Sequence, residues 1–213
     1  MTDSEVLRNA ASQLGCEIEE AACSQLLNFL TAMLDENTRV NLTAVRDAKT
    51  AVIFHALDSL AVKLLEHDPA QTLDLGTGNG FPGIGVATLF PTAQVTLLDR
   101  TQKKVAAIDR CLKVAEFDPE RVTAVADDAA QLPAHGGAEA FSLITARAVA
   151  TPRQVAKLAH RLLQPTGSLL LWMAADTEVA VDLPGGLRLA DQAEYSLPAP
   201  VDRHRVIALY RRR

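Results

Sequence analysis

The sequence has no long hydrophobic run and no recognisable targeting segment. Its apolar residues, 48% of the 213, occur in short stretches, far below the roughly 20 consecutive residues that a membrane-spanning helix needs. The acidic start, with Asp3 and Glu5, differs from the basic and then apolar order of a secretory signal. We therefore expect a cytoplasmic protein with no membrane partner.

Cysteine is also scarce. The three residues Cys16, Cys23 and Cys111 are an odd number, and their spacing matches no metal-ligand motif. This pattern indicates reduced, buried thiols in the cytosol and no bound metal. The sequence also shows no obvious Ser/His/Asp set or carboxylate pair, so nothing points to nucleophilic or general acid–base catalysis.

Acidic residues outnumber basic ones, and the net charge is -5. This acidic balance argues mildly against a nucleic-acid partner. Its distribution is uneven, because acidic residues concentrate between Asp3 and Glu36. Basic residues with no acidic residue among them occur at Arg147, Arg153, Lys157 and Arg161, and others close the chain at Arg203, His204, Arg205 and 211–213. These segments form either a basic face or a solvated helix face with a frayed tail, and charge alone favours neither.

The hydrophobic periodicity changes near residue 67 and predicts two parts. Helical spacing predicts a helix that ends at Gly15, a second over about 19–36, and a third that continues to about 66. In the third helix we expect an inward stripe of Phe54, Leu57, Leu60, Ala61 and Leu64. Residues 1–66 are thus predicted to be an N-terminal helical extension, and 67–213 an α/β domain.

The second part alternates strands with helices, which is typical of a mostly parallel sheet covered on both faces. Strands are predicted at 71–75, 94–98, 121–125, 141–146 and 168–172, and helices near 82–90, 101–116 and 151–163. Two further strands, 187–195 and 205–210, have only a proline-rich loop between them and predict an antiparallel hairpin at the sheet edge. The expected sheet has seven strands, with a surface loop at 176–186.

A glycine-dense turn follows the first strand and is the most informative segment of the chain. Asp74 comes just before it, and Gly76, Gly78 and Gly80 allow positive φ and a close approach of the backbone to a ligand. The helix after the turn offers free N–H groups. Asp99 ends the next strand, where a carboxylate can bind ribose hydroxyls. Together these features predict a nucleoside pocket.

Two ligands, a dinucleotide and S-adenosylmethionine, are the candidates for this pocket. Residues 78–83 fit the dinucleotide pattern G-x-G-x-x-G, but Asp74 would repel a pyrophosphate and attract an ammonium group. S-adenosylmethionine is cationic, carries no phosphate and has a ribose for Asp99. The alternation of five strands with helices, closed by an antiparallel hairpin, is also the usual layout of class I, Rossmann-like methyltransferases, which we prefer to a dehydrogenase. A small-molecule methyltransferase stays a further possibility, although no separate substrate lid is evident.

Five motifs make a more specific resemblance. They are 41–47 (NLTAVRD), 55–59 (HALDS), 73–84 (LDLGTGNGFPGI), 97–99 (LLD) followed by Lys103 and Lys104, and 146–148 (ARA). In this order they resemble the RsmG (GidB) family, which methylates N7 of a guanine in 16S ribosomal RNA. The resemblance implies an S-adenosylmethionine-binding domain over 67–213 and cofactor contacts at Gly76, Phe81, Ala129, Ala130 and Arg147.

The residues themselves predict further cofactor contacts at Asp74, Gly78 and Asp99. Arg147, at the end of the fourth strand, is the candidate catalytic residue, because a guanidinium can donate to O6 of a guanine. N7 carries no proton, so the task is to hold it in line with the methyl group. We expect RNA contacts at Arg153, Arg203, His204 and Arg205, a partner that is 16S ribosomal RNA or the small subunit, and a monomer.

One departure from the family pattern supports an alternative function. The family commonly has Leu-Lys-Gly after the fifth strand, whereas this chain has Met173 at the lysine position. The missing cation favours a non-catalytic or re-purposed relative that keeps the cofactor pocket as a sensor or scaffold. Both hypotheses stay open at the level of the sequence.

Overall fold

A single twisted sheet organises the computed structural model, which describes residues 2–212. Its first five strands are parallel, and the remaining strands are antiparallel to their neighbours, in the spatial order β3-β2-β1-β4-β5-β8-β7-β6. The strands are β1 Gln71–Leu75, β2 Gln94–Asp99, β3 Val122–Ala126, β4 Phe141–Arg147, β5 Leu163–Ala174, β6 Asp182–Leu183, β7 Leu187–Leu197 and β8 Arg203–Arg212. The predicted fold class is confirmed, and β6, in the predicted loop 176–186, adds an eighth strand.

The α-helices follow the predicted segments closely outside the third one. They are α1 Asp3–Gln13, α2 Glu20–Asn37, α3 Ala48–Ala51, α4 Asp58–Leu60, α5 Gly83–Leu89, α6 Gln102–Val114 and α7 Pro152–Ala159, with 3-10 turns at Ala61–Leu64 and Leu132–His135. Local sequence explains the start of α7, because Thr151 and Gln154 form a capping box and Pro152 takes the first helical position.

Alternation along the strands divides the buried residues between two cores. In β5, Leu170 and Trp172 point to the face covered by α1, α2, α5 and α6, while Leu169, Leu171 and Met173 point to the face covered by α7. The first core joins the N-terminal helices to the sheet without interruption. The helical extension therefore packs on the sheet rather than standing apart from it.

The predicted third helix is interrupted by a wider turn. Residues Val52–Leu57 form a π-helical turn between α3 and α4, in which the Asp58 N–H reaches back to the Ile53 carbonyl. A wider turn leaves carbonyl groups free to accept hydrogen bonds from elsewhere, and such turns are frequent at functional sites. The hydrophobic pattern of the segment does not reveal this irregularity.

The structure bears on two features of the composition, the hydrophobic residues and the cysteines. No helix among residues 2–212 is long and apolar enough to cross a membrane. All three cysteines are free and buried, which confirms the interpretation of reduced thiols. Burial raises the pKa of each thiol, that of Cys111 to about 12, so these side chains stay protonated and unreactive at neutral pH.

An ion pair ties the N-terminal helices to the sheet domain. Arg110 on α6 donates to both carboxylate oxygens of Glu36 on α2, at 2.9 Å and 2.7 Å. These hydrogen bonds hold the pKa of Glu36 below its usual value. A lowered pKa in the folded state contributes stability that is present above the ordinary value of 4.5 and is lost as the pH falls through the folded-state pKa.

Glu36→Gln is therefore expected to lower the free energy of unfolding by about 1 kcal/mol at pH 7, and by less below pH 4, where the native carboxylate is also becoming protonated. Urea unfolding at the two pH values measures both differences. Asp109→Asn, which breaks an exposed pair with Lys113, is the control and should change little. An equal loss for Glu36→Gln at both pH values would contradict this assignment.

Candidate active site

A cleft of about 620 Å³ opens at the carboxyl ends of β1, β2 and β4. Strand β1 pairs with β2 on one side and with β4 on the other, so the chain reverses direction across the sheet at this point. Ligands of open α/β sheets bind at such switch points. The lining residues are Leu42, Phe54, His55, 75–79, Phe81, 99–101, Lys104, 127–129, 147–149, Leu158 and Arg205.

The glycine turn forms the floor of the cleft, and four of its N–H groups are already bonded within the protein. The N–H of Thr77 donates to the Leu98 carbonyl, that of Gly78 to Asp99, and that of Gly80 to the Thr77 carbonyl. The Phe81 N–H donates to the side chain of Asn79. Gly76, Gly78 and Gly80 all have positive φ, so the left-handed backbone that glycine permits shapes this floor.

Asp74 lies beneath the turn rather than in the cleft. Its carboxylate accepts from the hydroxyl groups of Thr77 and Thr145, at 2.6 Å and 2.7 Å. It also accepts the Gly83 N–H, and burial raises its pKa. Asp74 does not line the cleft, so the structure places the predicted ammonium-binding carboxylate where it holds the turn against β4.

Asp99 does line the cleft, at the end of β2. Its two oxygens accept the N–H groups of Gly78 and Thr101, at 3.1 Å and 2.8 Å. A carboxylate offers roughly four acceptor positions, so two stay available to hydroxyl groups of a ligand. Asp99 is thus placed both to fix the turn and to bind a sugar.

The wall of the cleft that carries Arg147 and Arg205 is held in place by one buried carboxylate, that of Asp58 on α4. It is fully buried and accepts from Arg147 at 2.8 Å, from Arg205 at 3.2 Å through two nitrogens, and from the Tyr195 hydroxyl at 2.6 Å. The Trp172 indole N–H donates to the Asp58 carbonyl. We call these five residues the Asp58 cluster; they join α4 to β4, β5, β7 and β8.

Burial and charge in the cluster favour the neutral phenol of Tyr195 and the charged guanidinium of Arg205. Burial and the charge of Asp58 raise the pKa of Tyr195, so its hydroxyl stays a donor. Burial opposes the charge on Arg205, but Asp58 and Tyr195 outweigh it and raise the pKa of this guanidinium. Two cations against one anion leave a net positive charge beside the cleft.

Arg147 is held more tightly than a surface arginine would be. One terminal nitrogen donates to Asp58 and to the Phe54 carbonyl in the π-helical turn, at 2.8 Å and 3.0 Å, and the other lies 3.1 Å from Nδ1 of His55. Of the five N–H donors of a guanidinium, two remain without a partner among residues 2–212. The side chain lines the cleft, so these donors are within reach of a ligand there.

His55 links this wall to the loop that closes the cleft. Burial and the charge of Arg147 lower its pKa to about 3, so the ring is neutral at physiological pH. Because Arg147 donates to Nδ1, the proton lies on Nε2, which donates to the Thr43 hydroxyl at 2.9 Å. Asn37 fixes the same loop by bonding the backbone of Leu42 and Thr43.

The other predicted cofactor residues are distributed unevenly around the cleft. Gly76, Gly78, Phe81 and Ala129 line it. Ala130 is exposed and outside it, with its N–H bonded to Asp128. These placements describe where the residues lie; their contacts with a cofactor stay predictions.

The predicted RNA-binding residues separate into two groups. Arg153, Arg203 and His204 are exposed at the edge of the sheet that carries the cleft. Arg205 is instead buried against Asp58 and lines the cleft. Strand alternation turns its side chain inward towards a carboxylate that the hairpin sequence does not reveal, so it lies apart from the exposed cations, and its contact with RNA stays a prediction.

Sequence reasoning missed three features of the site. The Asp58 cluster was not predicted, although His55 and Asp58 share a helix face in a matched motif. No local sequence pattern indicated that Tyr195 takes part in the site. Phe54, predicted to face inward, is half-buried and packs against the first core, but it also lines the cleft, which the sequence did not indicate.

A second cavity of about 290 Å³ adjoins the cleft across a shared wall. Arg147, Ala148, Val149 and Arg205 line both spaces. Its remaining lining is mainly apolar and includes Trp172 and Met173 from β5. A flat ring with polar edges fits a pocket that combines apolar walls with two guanidinium groups.

Comparison with known families identifies a match over most of the chain. A family model described as rRNA small subunit methyltransferase G matches residues 22–182. A protein of that description from Xanthomonas campestris pv. campestris is 36% identical over 185 residues, covering 85% of this chain and 84% of the relative. Another, from Roseiflexus sp. (strain RS-1), is 31% identical over 212 residues and covers 95% and 89%.

The fold is also similar to that of solved structures. A S-adenosylmethionine-dependent methyltransferase from Aquifex aeolicus superposes with a TM-score of 0.56 at 11% identity, covering 76% of this chain and 92% of that one. At this identity the similarity concerns the arrangement of strands and helices alone.

Asp58→Asn is expected to lower the free energy of unfolding by about 3–5 kcal/mol, because it leaves two buried guanidinium groups without their anion. Urea unfolding followed by circular dichroism measures the change. Asp182→Asn, at an exposed position in β6, is the matched control and should stay within about 0.5 kcal/mol of the parent. A parental midpoint for Asp58→Asn would show that the cluster does not depend on the charge.

Proposed function

The chain belongs to the family described as rRNA small subunit methyltransferase G, and from that premise we propose that it transfers a methyl group from S-adenosylmethionine to N7 of a guanine in 16S ribosomal RNA. The observation that supports this most directly is the division of the cleft. One side offers a sugar-binding carboxylate and a glycine floor, and the other presents two guanidinium groups beside an apolar pocket.

The residues of the first side fit the cofactor. Asp99 has acceptor positions for ribose hydroxyls, and Gly78 borders open space, since a Cβ built there would meet only the Gly76 carbonyl at 3.8 Å. S-adenosylmethionine supplies a methyl group activated on a cationic sulfonium. Asp127 and Asp128 add acidic groups on the β3 side of the cleft, while Arg100, Lys104, Arg147 and Arg205 line it elsewhere.

The same geometry disfavours a dinucleotide. A pyrophosphate is held by N–H groups that point at it from a glycine turn and a helix start. Here the N–H groups of Thr77, Gly78, Gly80, Phe81 and Gly83 are bonded within the protein. The G-x-G-x-x-G match therefore reflects the tight turn and not a phosphate cradle.

We assign the second cavity to the target guanine. Its apolar walls suit the faces of a purine, and Arg147 and Arg205 can donate to O6 at the edge of the ring. N7 has a lone pair and no proton, so the reaction needs no general base. The contribution of the protein is to orient the base towards the methyl donor, which turns a bimolecular encounter into a positioned one.

Asp58 acts in this scheme as a positioning residue. It fixes the orientation of both guanidinium groups, so the N–H groups that are not bonded to Asp58 point in one defined direction. The neutral His55 adds a further hydrogen bond to Arg147 without adding charge. Such preorganised donors avoid the cost of reorienting during the reaction.

The exposed cations at the same edge suit a larger anionic substrate. Arg153 lies in the first turn of α7, and Arg203 and His204 begin β8, whose residue Arg205 pairs with Ala174 at the carboxyl end of β5. We propose that these groups contact phosphates of the ribosomal RNA.

A non-catalytic relative is the second candidate, favoured by Met173 in place of the family lysine. Met173 lines the second cavity, which lacks a cation from β5. Arg205 offsets that absence, because it enters the same space from the neighbouring strand β8. This arrangement supports the catalytic proposal over the scaffold.

Mapping of 7-methylguanosine tests the proposal. Small subunits from cells without this methylation are incubated with the protein and S-adenosylmethionine, and 16S ribosomal RNA is then cleaved chemically at 7-methylguanosine. One new site is expected. Binding of the cofactor with no methylation of either the subunit or free RNA would favour the scaffold instead.

Gly78→Ala should weaken S-adenosylmethionine binding about 5- to 150-fold, because a methyl group in the contact zone costs about 1–3 kcal/mol. Isothermal titration measures the affinity, and NAD is titrated in parallel with no binding expected. Gly186→Ala is the matched control: its φ of +72° compares with +56° at Gly78, it also borders open space, and it lies outside the cleft. Equal affinities of both variants would show that Gly78 does not contact the cofactor.

A further inference from the structure

The aromatic ring of Phe54 lines the cleft, and neither cofactor binding nor methyl transfer as described so far uses it. It is half-buried, whereas Phe29, Phe81 and Phe117 are buried. The π-helical turn that carries it also provides the carbonyl that Arg147 bonds. The ring is therefore fixed next to the wall that faces the proposed guanine pocket.

Two guanidinium groups lie against this ring. The central carbon of Arg147 is 5.8 Å from the ring centroid, and that of Arg203 is 5.4 Å away. Arg147 is held in place by Asp58, His55 and the Phe54 carbonyl. The Arg203 side chain is exposed and makes no hydrogen bond or ion pair with the part of the chain that the structure describes, 2–212, and its guanidinium lies over the Phe54 ring.

An exposed arginine on an aromatic ring is easily displaced by a stronger partner. Cation–π contacts at exposed sites are weak, whereas stacking of a nucleobase on an aromatic ring is several times stronger and accepts any base. A displaced guanidinium stays close enough to pair with a phosphate of the same strand. The combination of a ring with a releasable cation matches the chemistry of a single-stranded nucleic acid.

We propose that Phe54 is a stacking platform for an unpaired nucleobase near the target guanine, and that Arg203 leaves the ring to contact a phosphate when RNA binds. This inference rests on the proposed function for the identity of the RNA. The surrounding cations, Arg147, Arg203 and Arg205, favour a nucleic acid over an uncharged apolar partner.

Phe54→Leu tests the platform, because it keeps apolar bulk and removes the flat ring. Initial rates of methyl transfer are measured against the concentration of unmodified small subunit at saturating cofactor. The KM for the subunit should rise about 5- to 150-fold, the ratio that corresponds to loss of one stacked base. The kcat should change less than about twofold, and S-adenosylmethionine affinity should be that of the parent.

Two further variants separate stacking from packing. Phe54→Trp should restore the KM, since it keeps a stacking surface. Phe90→Leu is the matched control, because Phe90 is also half-buried and lies 4.9 Å from the Lys63 ammonium, but outside the cleft. A parental KM for Phe54→Leu, a failure of Phe54→Trp to restore it, or an equal loss in Phe90→Leu would overturn the inference.

The role of Arg203 has its own readout. Binding of unmodified 16S ribosomal RNA is followed across salt concentrations, and Arg203→Ala should reduce the log–log slope by about 0.7–0.9, as expected for one lost phosphate contact. An unchanged slope would overturn that part. If the parent binds RNA but transfers no methyl group, the proposed function fails, while the affinities of Phe54→Leu and Phe54→Trp still decide the stacking platform.

Discussion

The buried carboxylate of Asp58 is the constraint on which the functional wall depends. A buried anion is stable only when nearly every acceptor position is satisfied. Here the donors come from Arg147, Arg205 and Tyr195, which belong to three different strands. The requirement to satisfy one charge therefore fixes the C-terminal strands, β4 and the N-terminal helices in one relative arrangement. The two guanidinium groups that line the cleft acquire their direction from it.

The two carboxylates beside the glycine turn have different roles, because Asp74 lies beneath the turn and Asp99 lines the cleft. Asp74 is fully enclosed and holds the glycine turn through Thr77 and Thr145. Asp99 sits at the surface of the same turn and keeps acceptor capacity for a ligand. Because five N–H groups of the turn and of the helix start after it are bonded within the protein, few of these donors are left for an anion. This combination suits a cationic nucleoside and explains how a phosphate-binding pattern in the sequence serves a ligand without phosphate.

The region around Phe54 shows how an irregular helix adds function. The π-helical turn of 52–57 exposes a backbone carbonyl to Arg147 and turns an aromatic ring towards the mouth of the cleft. The same turn places His55 between Arg147 and Thr43, so the loop 41–45, whose Leu42 lines the cleft, is connected to the wall that carries Arg147.

The sequence by itself determined the elements and one side of the site. Strands β1, β2 and β4, the glycine turn and the positions of Asp99 and Arg147 follow from local patterns, because hydrophobic alternation and turn chemistry act over a few residues. Only the tertiary structure decided that Arg205 is buried, that Asp58 unites five segments, and that Phe54 faces the cleft. The physical reason is that a buried charge selects its partners by proximity in space, and residues 58, 147, 195 and 205 are brought together only when the sheet has formed.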